Sequence, residues 1–197
     1  ANNSKVSVIG CPKTIDGDLK NEYVEVSFGF DTACKTYAEL IGNIGLDTRS
    51  SKKYYHFIRL MGRSASHIAL ECAFLTRPNL TIIGEEVEAE NLSLHDIVTD
   101  IADLICQRAD DKRNSGIILV PEGLIEFIGE VNILIKEINE ILAHQTDKPT
   151  QIVDLINFVC QHLTEQSAKL LKFLPVSISE QLLLDRDPHG NVQVAKI

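Results

Sequence analysis

The stretch YYHFIRLMGRSASHIALECAFLTRPNLTII, residues 54–83, decides the fold. Its opening run, Tyr54–Met61, is aromatic and β-branched, the composition of a strand buried in a sheet. Gly62 ends that run. Ile68, Cys72 and Leu75 then recur at helical spacing until Pro78, which cannot continue a helix. Leu80–Ile83 is a short apolar run and reads as a second strand. Strand, helix and strand in succession make a βαβ unit. Such units build parallel sheets, and ligands bind beyond the carboxyl ends of their strands.

The same alternation extends outward. Lys5–Gly10 (KVSVIG) reads as another strand, ending in a loop. Phe30–Ile44 places Ala33, Tyr37, Leu40, Ile41 and Ile44 at helical spacing, with Asp31 near the start and Gly42 and Gly45 loosening the end. Ser93 and Asp96 form a capping-box pattern before a helix carrying Ile97, Ile101, Leu104 and Ile105 on one face. Gly116–Val120 (GIILV) is a buried-type strand stopped by Pro121, and a long helix is predicted from Leu124 to Leu142. The tail differs: residues 145–150 are polar with Pro149 and read as a linker. Gln151–Leu174 is amphipathic through Ile152, Leu155, Ile156, Val159, Leu163 and Leu170. It reads as a packing helix or helical insertion, with a partner-binding helix as the alternative. The expected class is α/β: three layers, a mostly parallel sheet flanked by helices, with a C-terminal helical insertion.

Composition narrows the function. Of 197 residues, 44% are hydrophobic, so a sizeable core can form. The net charge of −9 argues against nonspecific nucleic-acid binding, which needs a basic face. Local cations can still hold an anionic substrate. The five cysteines are widely spaced without a C-x-x-C, so reduced thiols and a cytoplasmic setting are expected rather than a disulfide framework. No zinc spacing is legible, no apolar run is long enough to span a bilayer, and no signal peptide opens the chain. The start at Ala1, without Met, reads as a fragment or a processed chain.

Chemistry-bearing residues gather at the expected strand ends. The densest run is Pro12-Lys13-Thr14-Ile15-Asp16-Gly17-Asp18-Leu19. A carboxylate there could accept the proton of an attacking hydroxyl, a lysine could offset charge on a transferring phosphoryl group, and Gly17 lets the backbone approach closely. Asp-Gly-Asp is also a common surface turn, so composition alone leaves both readings open. Met61-Gly62-Arg63 places a guanidinium where strand meets helix, suited to phosphate, although a surface arginine would look the same. His67 reads as a packing or capping residue. Glu122, after GIILV, could hold two sugar hydroxyls or simply open a helix. Lys52, Lys53, Tyr54, Tyr55 and His56 form a basic and aromatic patch. It suits solvated surface, or a reach into a neighbouring subunit's site.

Taken in order, PKTIDGDL, GFDTA at Gly29–Ala33, MGR at Met61–Arg63 and VPEG at Val120–Gly123 resemble the pyrophosphate-dependent phosphofructokinases. The match covers nearly the whole chain to about Leu142 and continues into LPVSISEQLLLDRDPHGNVQVAKI, similar to the long plant and bacterial type. The resemblance implies a glycolytic phosphotransferase that makes fructose 1,6-bisphosphate reversibly from fructose 6-phosphate and pyrophosphate, with magnesium. Asp16 would be the proton acceptor, with Lys13 on pyrophosphate and Asp18 assisting. Thr14, Ile15, Met61, Gly62, Arg63 and Glu122 would bind the sugar phosphate. Lys53 and Tyr54 would reach across the interface of a homodimer or higher oligomer.

Family members that use ATP carry glycine at position 13 and T-I-D-N-D, so Lys13 and Gly17 bear on the donor. The family's glycine-rich donor loop and its G-G-D-D segment with the magnesium aspartate are absent. No metal ligand is therefore expected here, and the chain alone is expected to be inactive. The implied segments are 1–28, the end of the phosphate-donor domain with the catalytic loop; 29–144, the fructose 6-phosphate domain; and 145–197, the insertion and tail. An ATP-dependent enzyme and a noncatalytic regulatory subunit remain as alternatives.

Overall fold

The computed structural model describes residues 6–19, 21–144 and 152–183. The chain divides into two compact units, residues 1–90 with 96–124, and residues 91–95 with 125–197. In chain order the elements up to residue 121 are α1 (Phe30–Ser51), β1 (Tyr55–Leu60), α2 (His67–Thr76), β2 (Leu80–Thr81), α3 (Gly84–Ala89), α4 (Leu94–Asp110) and β3 (Gly116–Pro121). The strands form a parallel sheet in the order β1-β3-β2, with Ile58 opposite Leu119 and Leu80 opposite Ile118. The chain is thus α/β, with a parallel sheet flanked by helices, as the βαβ reading of residues 54–83 requires.

The central strand explains the GIILV composition. β3 pairs on both sides, and five of its six residues are buried, so no polar alternation is tolerated. On one face Leu60, Ile117 and Leu119 pack against Cys34 and Ile41 of α1 and Ile68, Ala69 and Cys72 of α2. Each fully buried aliphatic side chain here contributes roughly 1.5–3 kcal/mol relative to exposure. α2 stops at Arg77, which adopts φ 50° and donates its N–H back to Ala73, and Pro78 follows.

α1 runs past its expected end at Ile44. Interior Gly42 and Gly45 each cost about 1 kcal/mol against alanine. Buried Cys34, Ile41 and Thr48, spaced at seven, keep one face on the core and offset that cost. Leu80–Ile83 is strand only over Leu80–Thr81, and Gly84 begins a short helix the sequence pattern did not reveal.

The expected strand Lys5–Gly10 requires correction. Residues 6–10 are not strand, and Val6, Val8 and Ile9 are more than 70% exposed. Their β-branched pattern expresses a preference for a pleated, half-buried surface. That preference alone does not make a strand here.

The second unit is helical: α5 (Leu124–Phe127, beginning at the boundary), α6 (Gly129–His144), α7 (Ile152–His162), α8 (Glu165–Phe173) and α9 (Val176–Leu183). The single helix expected over Leu124–Leu142 is broken at Ile128, which is buried and accepts the N–H groups of Val131 and Asn132. The amphipathic run expected over Gln151–Leu174 is likewise two helices. Thr164 separates them, capping α8 through Ser167 N–H while its hydroxyl donates to Glu137 of α6. Leu134, Ile138, Val159, Leu171 and Leu183 form this unit's core. The linker expected at residues 145–150 lies outside the described residues.

Candidate functional site

The loop of residues 11–19 is held by its own chemistry rather than by a preceding strand. Ile15 is half-buried against the core around Cys34 and Leu60. Thr14 Oγ1 accepts the N–H of Asp16 at 3.1 Å, closing a tight local turn. Gly17 then adopts φ 79°, a left-handed conformation, and a Cβ there would stand 3.0 Å from the Phe30 ring. Asp16 and Asp18 are displayed on either side of this turn, Asp16 partly covered and Asp18 exposed. Lys13 is exposed three residues earlier on the same loop.

The loop after β1, Met61–Ser66, joins the site together. The N–H of Arg63 donates to Asp16 Oδ2 at 3.4 Å, and the Ser64 hydroxyl donates to Asp18 Oδ2 at 2.6 Å. The first contact is long and leaves most of the Asp16 acceptor capacity open to another donor; the second is short and charge-assisted. Gly62 adopts φ 130°, and any side chain there would press on the Ala65 carbonyl oxygen at 2.7 Å. Met61 and Arg63 are exposed beside it.

The loop after β3 closes against the same segment. Glu122 N–H donates to the Leu60 carbonyl at 2.8 Å, and Gly123 N–H to the Gly62 carbonyl at 2.9 Å. The ladder between β1 and β3 thus continues into the loops and fixes exposed Glu122 beside Arg63. Gly123 is required sterically, because a Cβ would overlap the carbonyl of Arg63.

Tyr37 is a member of this neighbourhood that sequence reasoning placed only on a helix face. It is half-buried in α1 against the core. Burial first, then Cys72, Glu122, Cys34 and Asp16, push its phenol up. No motif flags a tyrosine seven residues into a helix. Only the helical register relative to Phe30 could have hinted at it.

Positions 14–18, 61–63 and 122 thus meet at the carboxyl end of the sheet, while Lys13 stands exposed on the first of these loops. Lys53 and Tyr54 do not join them. Both are exposed and precede β1, at the amino end of the sheet, about 20 Å from the Met61–Arg63 loop by the rise of a six-residue strand. A concavity of about 690 Å³ opens at that amino end, lined by Arg49, Lys52, Arg77, Arg108, Lys112 and Arg113 among others. These cations stand at the C-termini of α1, α2 and α4, where positive charge offsets the helix dipoles. Arg108 is further engaged by Ser115 O at 2.8 Å and the Tyr55 hydroxyl at 3.1 Å. Among the described residues no three metal-binding side chains cluster, and no helix is long and apolar enough to cross a membrane.

Comparison with known proteins supplies the identity of this arrangement. The phosphofructokinase family model matches residues 1–162. The chain is 63% identical, over 99% of its length, to the pyrophosphate–fructose 6-phosphate 1-phosphotransferase subunit beta of Ricinus communis, and covers 34% of that protein. It is 60% identical over 99% of its length to the corresponding beta subunit of Solanum tuberosum, covering 33% of it. With the pyrophosphate–fructose 6-phosphate 1-phosphotransferase of Entamoeba histolytica the identity is 54% over the whole chain and 37% of that protein. The chain spans about a third of the length of these curated relatives. With the family model covering four-fifths of its residues and these relatives matching it end to end, the chain belongs to the phosphofructokinase family.

Proposed function

We propose that the protein containing this chain transfers a phosphoryl group from pyrophosphate to the 1-hydroxyl of fructose 6-phosphate. The observation that carries the reading is the hydrogen-bonded set at the carboxyl end of the sheet: Arg63 N–H to Asp16, Gly123 N–H to Gly62 of the Arg63 loop, and Glu122 N–H to Leu60 at the end of β1. The printed names of the relatives favour the same substrates.

In this mechanism the sugar oxygen attacks one phosphorus of pyrophosphate as Asp16 takes the hydroxyl proton. The new O–P bond forms as the bridging P–O bond breaks, and inorganic phosphate leaves. Arg63, Glu122 and the turn at Thr14 and Ile15 orient the sugar phosphate, while Met61 and Gly62 shape the wall. Lys13 offsets charge on the donor, which catalysis of phosphoryl transfer requires more than covalent help. Asp18, tethered to Ser64, keeps the Asp16 turn in register with the Arg63 loop.

Magnesium is expected with such a donor, but the described residues do not form a site for it. Among the described residues no trio of His, Cys, Asp or Glu side chains gathers. No step is assigned to the ion. Lys53 and Tyr54, remote from their own cleft, are assigned in this reading to the site of a neighbouring subunit in a homo-oligomer or in paired alpha and beta subunits. The five free cysteines favour a reducing cytoplasm.

The test is a donor comparison on the complete protein, following fructose 1,6-bisphosphate formation with pyrophosphate or ATP. The expected result is a kcat/KM at least about 10-fold higher with pyrophosphate, falling selectively in Lys13→Gly. Preference for ATP, or no bisphosphate with either donor, would contradict the reading.

A further inference from the structure

The loop after β1 is also held by residues that no motif marks. Ser66 is 3% exposed, so its polar groups must find partners within the protein. Its N–H donates to Glu85 Oε1 at 2.9 Å, and its hydroxyl accepts the N–H of Gly84 at 2.9 Å. Two reciprocal bonds therefore tie the Met61–Ser66 loop to the start of α3, behind β2. Burial opposes ionisation of Glu85, but the Ser66 N–H, its own N–H, the Ser66 hydroxyl and His67 together hold the carboxyl below its usual value.

Three loops now lean on one another at the carboxyl end of the sheet. Gly84 and Glu85 hold Ser66 from one side, Gly123 holds Gly62 from the other, and Arg63 and Ser64 between them meet Asp16 and Asp18. From this geometry we infer that Glu85 is a positioning residue for the sugar-phosphate loop, acting through Ser66 on Arg63 and so on Asp16, without itself touching substrate. The inference rests on the phosphotransferase reading for its kinetic consequence, but not for the clamp itself. Glu85 is exposed, so its replacement removes the Ser66 N–H bond without opening the core, and leaves the Gly84 bond in place.

The experiment compares Glu85→Ala and Glu85→Gln with wild type in the complete protein. Glutamine keeps an acceptor for the Ser66 N–H; alanine does not. Glu85→Ala should raise KM for fructose 6-phosphate about 10-fold, the size of one lost charge-assisted hydrogen bond, with KM for pyrophosphate within about 2-fold. Glu85→Gln should restore KM for fructose 6-phosphate to within about 3-fold of wild type. Amide hydrogen exchange, read without substrate, should speed up at Arg63–Ser66 in Glu85→Ala and not at Ile117–Leu119. A wild-type protein inactive on fructose 6-phosphate would sink the functional reading, and the exchange data would still decide the clamp. Unchanged exchange at Arg63–Ser66, or an unchanged KM in an active enzyme, would overturn the inference, as would equal losses in both variants.

Discussion

Gly123→Ala probes the junction on which the site depends. The added Cβ would sit 2.7 Å from the Arg63 carbonyl carbon and 2.9 Å from its Cα, and closer still to the carbonyl oxygen. Restoring ordinary contact at 3.4 Å with the carbonyl carbon alone requires the two loops to separate by about 0.7 Å, and clearing the oxygen requires more. The Gly123–Gly62 bond, 2.9 Å in the native chain, would then stretch beyond hydrogen-bonding distance. Overpacking of this kind costs about 1–3 kcal/mol, and the lost bond adds about 1 kcal/mol. A loss of about 2–4 kcal/mol should appear as a lower urea midpoint with an unchanged slope. Because the same shift separates Glu122 from Arg63, affinity for fructose 6-phosphate should fall at least about 10-fold in the complete protein, measured by calorimetry. A Gly123→Ala protein with the wild-type midpoint and wild-type affinity would refute the claim that this contact sets the spacing.

Further expectations follow from individual residues. Arg63→Ala should raise KM for fructose 6-phosphate more than KM for pyrophosphate, since the guanidinium is assigned to the sugar phosphate; an equal rise in both would reassign it. Burial, then Cys72 and Glu71, push the Cys34 thiol up from 9.0 to about 12, so the folded state favours the neutral thiol. That contribution is full below pH 9 and is lost as pH rises toward 12, amounting to at most ~4 kcal/mol. Urea midpoints should therefore hold steady up to pH 9 and drop by pH 11. A flat profile across that range would contradict the buried-thiol assignment.

How much the sequence revealed differs from element to element, for physical reasons. The alternation was legible because Gly116–Val120 carries the continuous apolar character of a buried parallel strand and Pro78 marks where α2 must end; β1, expected to be buried, is buried only at Leu60, with Phe57 exposed. Residues 6–10 misled because β-propensity reports a suitable surface, not a partner strand. The end of α1 was misplaced because interior glycine is a modest penalty that core burial overrides. The break at Ile128 and the cap at Thr164 were hidden because amphipathic periodicity survives a short interruption. At the site, positions 13–18, 61–63 and 122 stood out as polar groups beside glycines at strand ends. Tyr37 and Glu85 did not, because their relation to Asp16 and Arg63 arises only when α1 and α3 pack beside the sheet.

The central claim is that the Asp16 carboxylate takes the proton from the sugar hydroxyl. The most direct measurement is kcat and KM for Asp16→Asn in the complete protein with pyrophosphate as donor. Asparagine preserves the shape of the turn and an acceptor for the Arg63 N–H but has negligible basicity. The account predicts that kcat falls by about 100- to 10,000-fold while KM for fructose 6-phosphate stays within a few-fold. A kcat within 3-fold of wild type would contradict it.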